Sequence, residues 1–296
     1  MVQAVATLPI DDVAIERSPG YWVTVWRRFR RDPVAMVALG VILLLILIAI
    51  LAPYITPHDP YRGATLRRLR PPGTPGHWLG TDELGRDMLS RLIYGARLSL
   101  FMGVTPVFLA LFIGSAIGIT AGYVGGWVNT ILMRTIDIIF AFPSVLLAIA
   151  LSGAMGAGIV NGLISLTVVF IPPIARIAES VTTSVRGLDY VEAARASGAG
   201  ALSIVRKHVL GNVLGPIFVY GMSLIAVSMI LASGLSFLGL GVRPPEPEWG
   251  LMLNTLRTAL YTQPMLCALP GIMIFITSIS FNLLTDGLRS AMDIKA

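Results

Sequence analysis

Between Leu98 and Met133 the chain reads LSLFMGVTPVFLALFIGSAIGITAGYVGGWVNTILM, without one charged side chain. A helix crosses the hydrocarbon core of a bilayer with about 20 apolar residues, so this run is too long for one span. Tyr123-Val124-Gly125-Gly126-Trp127 divides it, because paired glycines between aromatics suit a turn at a membrane–water interface. One helix then covers 98–122 and the next begins near Val128.

The same rule applies outward from this point. Further charge-free runs extend from Val34 to His58, Ile138 to Ala175, Val209 to Val242 and Thr258 to Thr285. The second of these splits at Gly153-Ala154-Met155-Gly156-Ala157-Gly158. The result is an all-α membrane protein with six transmembrane helices, over 34–54, 98–122, 128–152, 159–178, 212–240 and 265–287.

Composition agrees. Hydrophobic residues make up 55% and charged residues only 13% of the chain, with a mean hydropathy of +0.79. Soluble domains carry about 25% charged residues. The net charge of +6 does not indicate nucleic-acid binding, because the basic residues are scattered between apolar runs. The single cysteine, Cys267, sits in an apolar stretch and reads as a small buried hydrophobe.

No cleavable signal peptide is expected: the first 33 residues contain Asp11, Asp12 and Glu16 and lack an early apolar core. Arg27, Arg28, Arg30 and Arg31 directly precede the first apolar run and should hold that flank in the cytoplasm. Six spans then return the C-terminus to the same side. This divides the chain into a cytoplasmic N-terminal segment (1–33), a first span (34–54) and an extracytoplasmic connection (55–97). A five-span core (98–289) and a tail (290–296) follow. Within the core, 179–211 faces inward and 241–264 outward. The run of arginines from Arg62 to Arg97 falls outside and opposes this orientation.

Gly114, Gly118 and Gly122 recur every four residues and clear one helix face for close packing. Pro106, Pro143, Pro172, Pro173 and Pro216 should kink helices. Stretch 80–97 reads as an amphipathic helix along the outer interface, with Thr81 as N-cap and Asp87 paired with Arg91. No catalytic chemistry is evident there.

An energy source is missing. Ion-coupled transporters usually place ionisable groups near the bilayer midplane, whereas Arg134, Asp137, Arg176, Glu179 and Asp286 fall near the ends of these spans. Lys207 and Lys295 are followed by His208 and Ala296, so no P-loop is present. His58, His77 and His208 are too scattered in sequence to propose a metal or catalytic site. Energy must therefore enter through another polypeptide, and the inward loop 179–211 is the contact point. Asp189 and Glu192 resemble a capping box, Tyr190 to Ser197 form about two turns, and Gly198 supplies a stop. A second helical piece, Ala201 to His208, leads back to the membrane. Ala193, Ala194 and Ala196 would permit close docking, though spacing alone fits a solvated helical turn as well.

Glu192-Ala193-Ala194, with Gly198 following, resembles the EAA loop of ABC-importer permeases. In that family the loop forms a coupling helix that docks on the ATPase subunit. The stretch from Leu79 to Asp87 and the stretch from Ser90 to Leu100 resemble the signature before the second span in C-type permeases of peptide importers. Ser236 to Gly241, Pro244-Pro245, Pro247 to Gly250 and Asn282 to Arg289 resemble that group's carboxyl half. The resemblance covers about 25–293 and implies the type I ABC importer permease fold. It assigns the coupling role to Asp189, Glu192, Ala193, Ala194 and Gly198. It implies no catalytic residue, metal or cofactor on this chain, ATP and magnesium belonging to the partner ATPases. The implied assembly joins a second, different permease, two ATP-binding subunits and an extracytoplasmic binding protein in the bacterial inner membrane. Dipeptides or oligopeptides are the implied cargo, with nickel or glutathione as alternatives. An ion-coupled secondary transporter is the rival class. Gly211 stands where the family has a proline, which loosens the expected bend. No substrate-binding residue is assigned.

Overall fold

The computed structural model of the protein describes residues 20–292. The absence of a signal peptide, Lys295 and the end of the tail lie outside the described residues. Eleven α-helices occur among those described, and no strand longer than an isolated bridge. They are α1 (Tyr21–Phe29), α2 (Pro33–Ile55), α3 (Met88–Val124), α4 (Gly126–Phe140), α5 (Ser144–Met155), α6 (Ile159–Arg186), α7 (Asp189–Ala196), α8 (Ala201–Ile204), α9 (Leu210–Phe237), α10 (Trp249–Leu256) and α11 (Pro264–Met292). By length and composition, α2, α3, α6, the continuous stretch Ala201–Phe237 and α11 can each cross a membrane. The pair α4 and α5 makes a sixth crossing only as a broken span, bent by 84°.

Asp32 starts α2 by accepting from the Val34 and Ala35 N–H groups at 2.9 and 3.1 Å, with Pro33 in the first turn. Most of this helix faces outward: Val37, Leu43, Leu44, Leu47 and Ile50 are exposed, as suits a lipid-bathed span. One thin line of small and branched residues, Ala35, Ala38, Ile42 and Leu45, meets α11 and α3.

The seam between α3 and α6 is the most extensive in the fold. The glycine stripe produces it. A Cβ at Gly122 would lie 2.7 Å from the Glu179 carbonyl oxygen, and one at Gly118 would collide with the Ala175 carbonyl and the Ala178 methyl. Where lipid is as apolar as the side chains, such close backbone approach supplies the dispersion contacts that hold helices together. The seam keeps α6 continuous through Pro172 and Pro173.

Several sequence expectations change. The helix expected over 80–97 begins at Met88 and runs unbroken into the span as one 37-residue helix. Asp87, not Thr81, is its N-cap, and 80–87 is a tight loop pinned by buried polar contacts. The expected span 128–152 breaks at Ala141-Phe142-Pro143. Pro143 lacks a donor and pushes Phe142 out of the helical region. With Ile136 its only buried residue, α4 has little packing to oppose that. Gly211, to which the sequence assigns no rigid turn, lies in the first turn of α9, directly after a π-helical turn at Val205–Val209. Finally, the connection after α9 holds a short helix, α10, whose Trp249 is fully buried.

Candidate functional site

The helix α7 lies at the end of the bundle where α6 stops and α9 begins. Leu188 is its N-cap and supplies no side-chain acceptor, so the capping-box pairing of Asp189 with Glu192 does not form. Both acids still occupy the first turn, where they favour the positive end of the helix dipole. The C-terminal stop is as expected. Gly198 adopts φ 81°, its N–H donates to the Arg195 carbonyl at 3.0 Å, and the Ala199 N–H donates to Ala194 at 3.1 Å. These two bonds form a Schellman motif.

One side of α7 is anchored and the other is free. Val191 is fully buried and Ala194 is half-buried against the core. The Asn212 amide donates to the Tyr190 hydroxyl at 2.9 Å, tying α7 to the start of α9. Asp189, Glu192, Ala193, Arg195, Ala196 and Gly198 are exposed. Of the alanines expected outside, only Ala194 turns partly inward. The exposed surface is thus small-sided and flanked by both charge signs, on a helix whose two ends connect directly to membrane-crossing helices.

The opposite end carries a buried polar cluster that clamps the connection after α2. Asp87 accepts from His77 Nδ1 at 2.9 Å, from Ser90 N at 2.8 Å and from Ser90 Oγ at 2.7 Å. The expected Asp87–Arg91 pair does not form; the Arg91 Nε instead lies 3.2 Å from Asp82, which also takes Arg86 at 2.6 Å. Nor do the histidines remain scattered, since the His58 and His77 rings lie 4.9 Å apart. His58, His77 and Asp87 each offer one metal-ligand atom, all within 4.8 Å of one another. Both Asp87 oxygens already accept hydrogen bonds, so a cation there would have to displace them.

The connection between α9 and α11 is locked to the one after α2. Glu248 caps α10 by accepting from Gly250 and Leu251 at 2.8 Å, and the Trp249 indole donates to the Leu92 carbonyl at 3.0 Å. Burial pushes the Glu248 carboxyl above its ordinary range, against the pull of those two backbone donors. The Tyr61 hydroxyl donates to Glu246 at 2.9 Å. Burial and that acceptor push the phenol up to about 12. The two connections therefore form one surface.

Between the ends, Arg176 on α6 meets Asp137 on α4 at 2.6 Å, and its guanidinium sits 4.7 Å from the Phe140 ring centre. Sequence reading placed both charges near span ends. Asp137 is indeed near the end of α4, but that helix stops partway across. Arg176 lies about 15 Å inside the Arg186 end of α6, at about 1.5 Å per residue. The pair thus ties the last turn of α4 to the interior of α6 along the chain. Nothing in local spacing reveals it, since the partners are 39 residues apart.

Residues 114–295 match the family model described as binding-protein-dependent transport system inner membrane component. Residues 20–72 match the N-terminal transmembrane domain of oligopeptide transport permease C. The chain is 42% identical to the glutathione transport system permease protein GsiD of Pectobacterium atrosepticum, over 98% of this chain and 96% of that protein. It is 41% identical to GsiD of an Escherichia coli strain, over 99% and 96%. Among solved structures, an inward-facing form of the MetNI methionine ABC transporter aligns with a TM-score of 0.57 at 19% identity, covering 69% of this chain and 97% of that one. A second MetNI crystal form aligns with a TM-score of 0.53.

Proposed function

The chain belongs to the family of binding-protein-dependent transport system inner membrane components, and from that premise we propose that it carries short peptides through α7-coupled movement. It is a multi-pass permease subunit of a bacterial ABC importer and not itself an enzyme. The proposed cargo class is short peptides. Glutathione, a tripeptide, is the first cargo to test, given the end-to-end likeness to glutathione permeases. The observation that carries the coupling role is the exposed face of α7, which joins α6 to α9 and is anchored to the bundle through Val191 and Tyr190.

In this reading α7 is the coupling helix and its end of the bundle, with both chain termini, is cytoplasmic. Glu192, Ala193 and Gly198 meet a groove on a partner ATPase, while Asp189 and the half-buried Ala194 fix the helix. ATP and magnesium act on two such partner chains. Closure of those chains pushes α7 and so tilts α6 and α9. A second, different permease covers the exposed apolar face of α4 and α5, which carries Trp127, Ile131, Ile138, Phe142 and Leu146. The fused outer surface of the two connections receives the loaded binding protein.

Gly198→Val tests the coupling step. No atom lies within 4 Å of a Cβ built at Gly198, so the penalty is the left-handed backbone alone, about 1–2 kcal/mol. The variant should insert in the membrane at normal abundance yet lose peptide uptake and co-purification of the ATPase. Uptake at the wild-type rate would refute the coupling role.

A further inference from the structure

Three observations converge halfway along α6. First, Ala141, Phe142 and Pro143 are non-helical and exposed, although α4 and α5 together are needed for one crossing. Irregular backbone at membrane depth is tolerated only against protein or a water-filled cavity, because lipid cannot satisfy the freed N–H and C=O groups. The face around the break is therefore not a lipid face. Second, an ion pair sits on it. The Arg176 and Asp137 side chains are 48% and 40% exposed, too open for a buried structural clasp. Charges within spans face a water-filled cavity or the bundle interior and mark solute pathways. Asp137 lies about 16 Å along α4 from its Gly126 end, at about 1.5 Å per residue. Third, a cavity of about 330 Å³ opens one turn from the pair, with neither charged residue in its lining. It is lined by Phe140, Phe142, Leu147, Pro172, Pro173 and Leu224, and Phe140 and Pro173 are each one turn from a member of the pair.

We propose that Arg176 and Asp137 are this chain's contact for the charged ends of a zwitterionic peptide crossing the membrane. The guanidinium offers a two-pronged donor to the peptide carboxylate. The Asp137 carboxylate accepts from the peptide ammonium. In the resting state the two groups neutralise each other, and Phe140 stacks on the guanidinium to hold it in place. An arriving zwitterionic dipeptide exchanges one ion pair for two, so its two terminal charges stay paired; glutathione carries a second carboxylate, which this pair alone leaves uncompensated. The proposal rests on the peptide-import reading above.

The test uses the whole complex in proteoliposomes with its binding protein loaded with a net-neutral dipeptide, dialanine, and in parallel with glutathione. Wild-type uptake is measured first, and no uptake with glutathione or a dipeptide set would refute the import reading itself. The decisive variant is the double replacement Arg176→Met with Asp137→Leu, which removes both charges together and leaves no unpaired one. The expected result is normal assembly and normal ATPase stimulation by the loaded binding protein, with uptake per ATP reduced at least about tenfold. Unchanged uptake per ATP would overturn the proposal. So would loss of the second permease from the purified complex, which would make the pair an interface clasp. If the double variant does not accumulate, Arg176→Gln with Asp137→Asn is read by the same outcomes.

Discussion

The helix α6 and the broken pair α4–α5 carry comparable sequence yet behave differently. Both are apolar, of similar total length and interrupted by proline. In α6, Pro172 and Pro173 leave the helix continuous, whereas Pro143 ends α4 and turns the chain by 84°. The difference lies in what each touches. A glycine stripe on α3 lets the α6 backbone approach closely, and half of its most apolar window is buried. Only Ile136 of α4 is buried, with Ala148 and Ser152 of α5. A proline forfeits a hydrogen bond in either setting. The dense seam holds the helix together regardless, and the unpacked arm lets it go. The molecule is thus a rigid half carrying α7 and a looser arm bearing exposed apolar surface and one side of the ion pair.

The seam is the place to break this contrast most severely. Gly118→Leu pushes a side chain into the Ala175 carbonyl and the Ala178 methyl, both backbone or near-backbone groups that cannot move aside. Overpacking of this kind costs about 1–3 kcal/mol in adaptable cores, and more where backbones must separate. The expected outcome is loss of folded protein, read as absence of a monodisperse peak after detergent extraction. A folded Gly118→Leu chain would show that the seam is not what keeps α6 straight.

On the arm the same experiment should leave folding alone. Ile138 is 66% exposed, so Ile138→Glu removes little packing among the described residues. The thermal midpoint of the isolated chain in detergent should stay unchanged, since surface changes away from special features lie within about 0.5 kcal/mol. Co-purification of the second permease should fall at least about tenfold, because a charge would enter an apolar interface. A drop in midpoint without loss of the partner would mean that the arm belongs to the rigid half.

How far the sequence revealed this division follows from the same physics. The five uninterrupted spans were legible because charge-free length alone specifies a crossing helix. The short helix α7 was legible from acids in its first turn and a glycine at its stop, although its N-cap proved to be Leu188 rather than Asp189. The break at Pro143 was not, because Pro106, Pro172 and Pro216 present the same local signal and only tertiary packing separates the outcomes. Pairing was illegible for a different reason. Asp137 with Arg176, and His58 with His77 and Asp87, meet only once distant helices and loops are in place. The candidate site was therefore readable where one short segment forms it and hidden where two segments do.

The smallest expected effect concerns where the two regions join. Near the base of α4 the Asn129 amide donates to Glu179 of α6 at 2.7 Å and to the Ala121 carbonyl at 3.3 Å, and Thr183 adds a third bond at 3.2 Å. Hydrogen bonds to a charged group are worth about 1.5–3 kcal/mol. Part of that is retained in Asn129→Leu, because Thr183 still serves the carboxylate. If the arm hinges at this base, the variant loosens α4 locally while the seam beside it stays shut. Amide exchange should rise across Val128 to Arg134, with α3 and α6 protected as before and the thermal midpoint lower by only a few degrees. Faster exchange in α6 as well would mean that Asn129 supports the seam rather than the hinge. The straightness of α6 would then depend on its polar tie to the arm as much as on the glycine stripe.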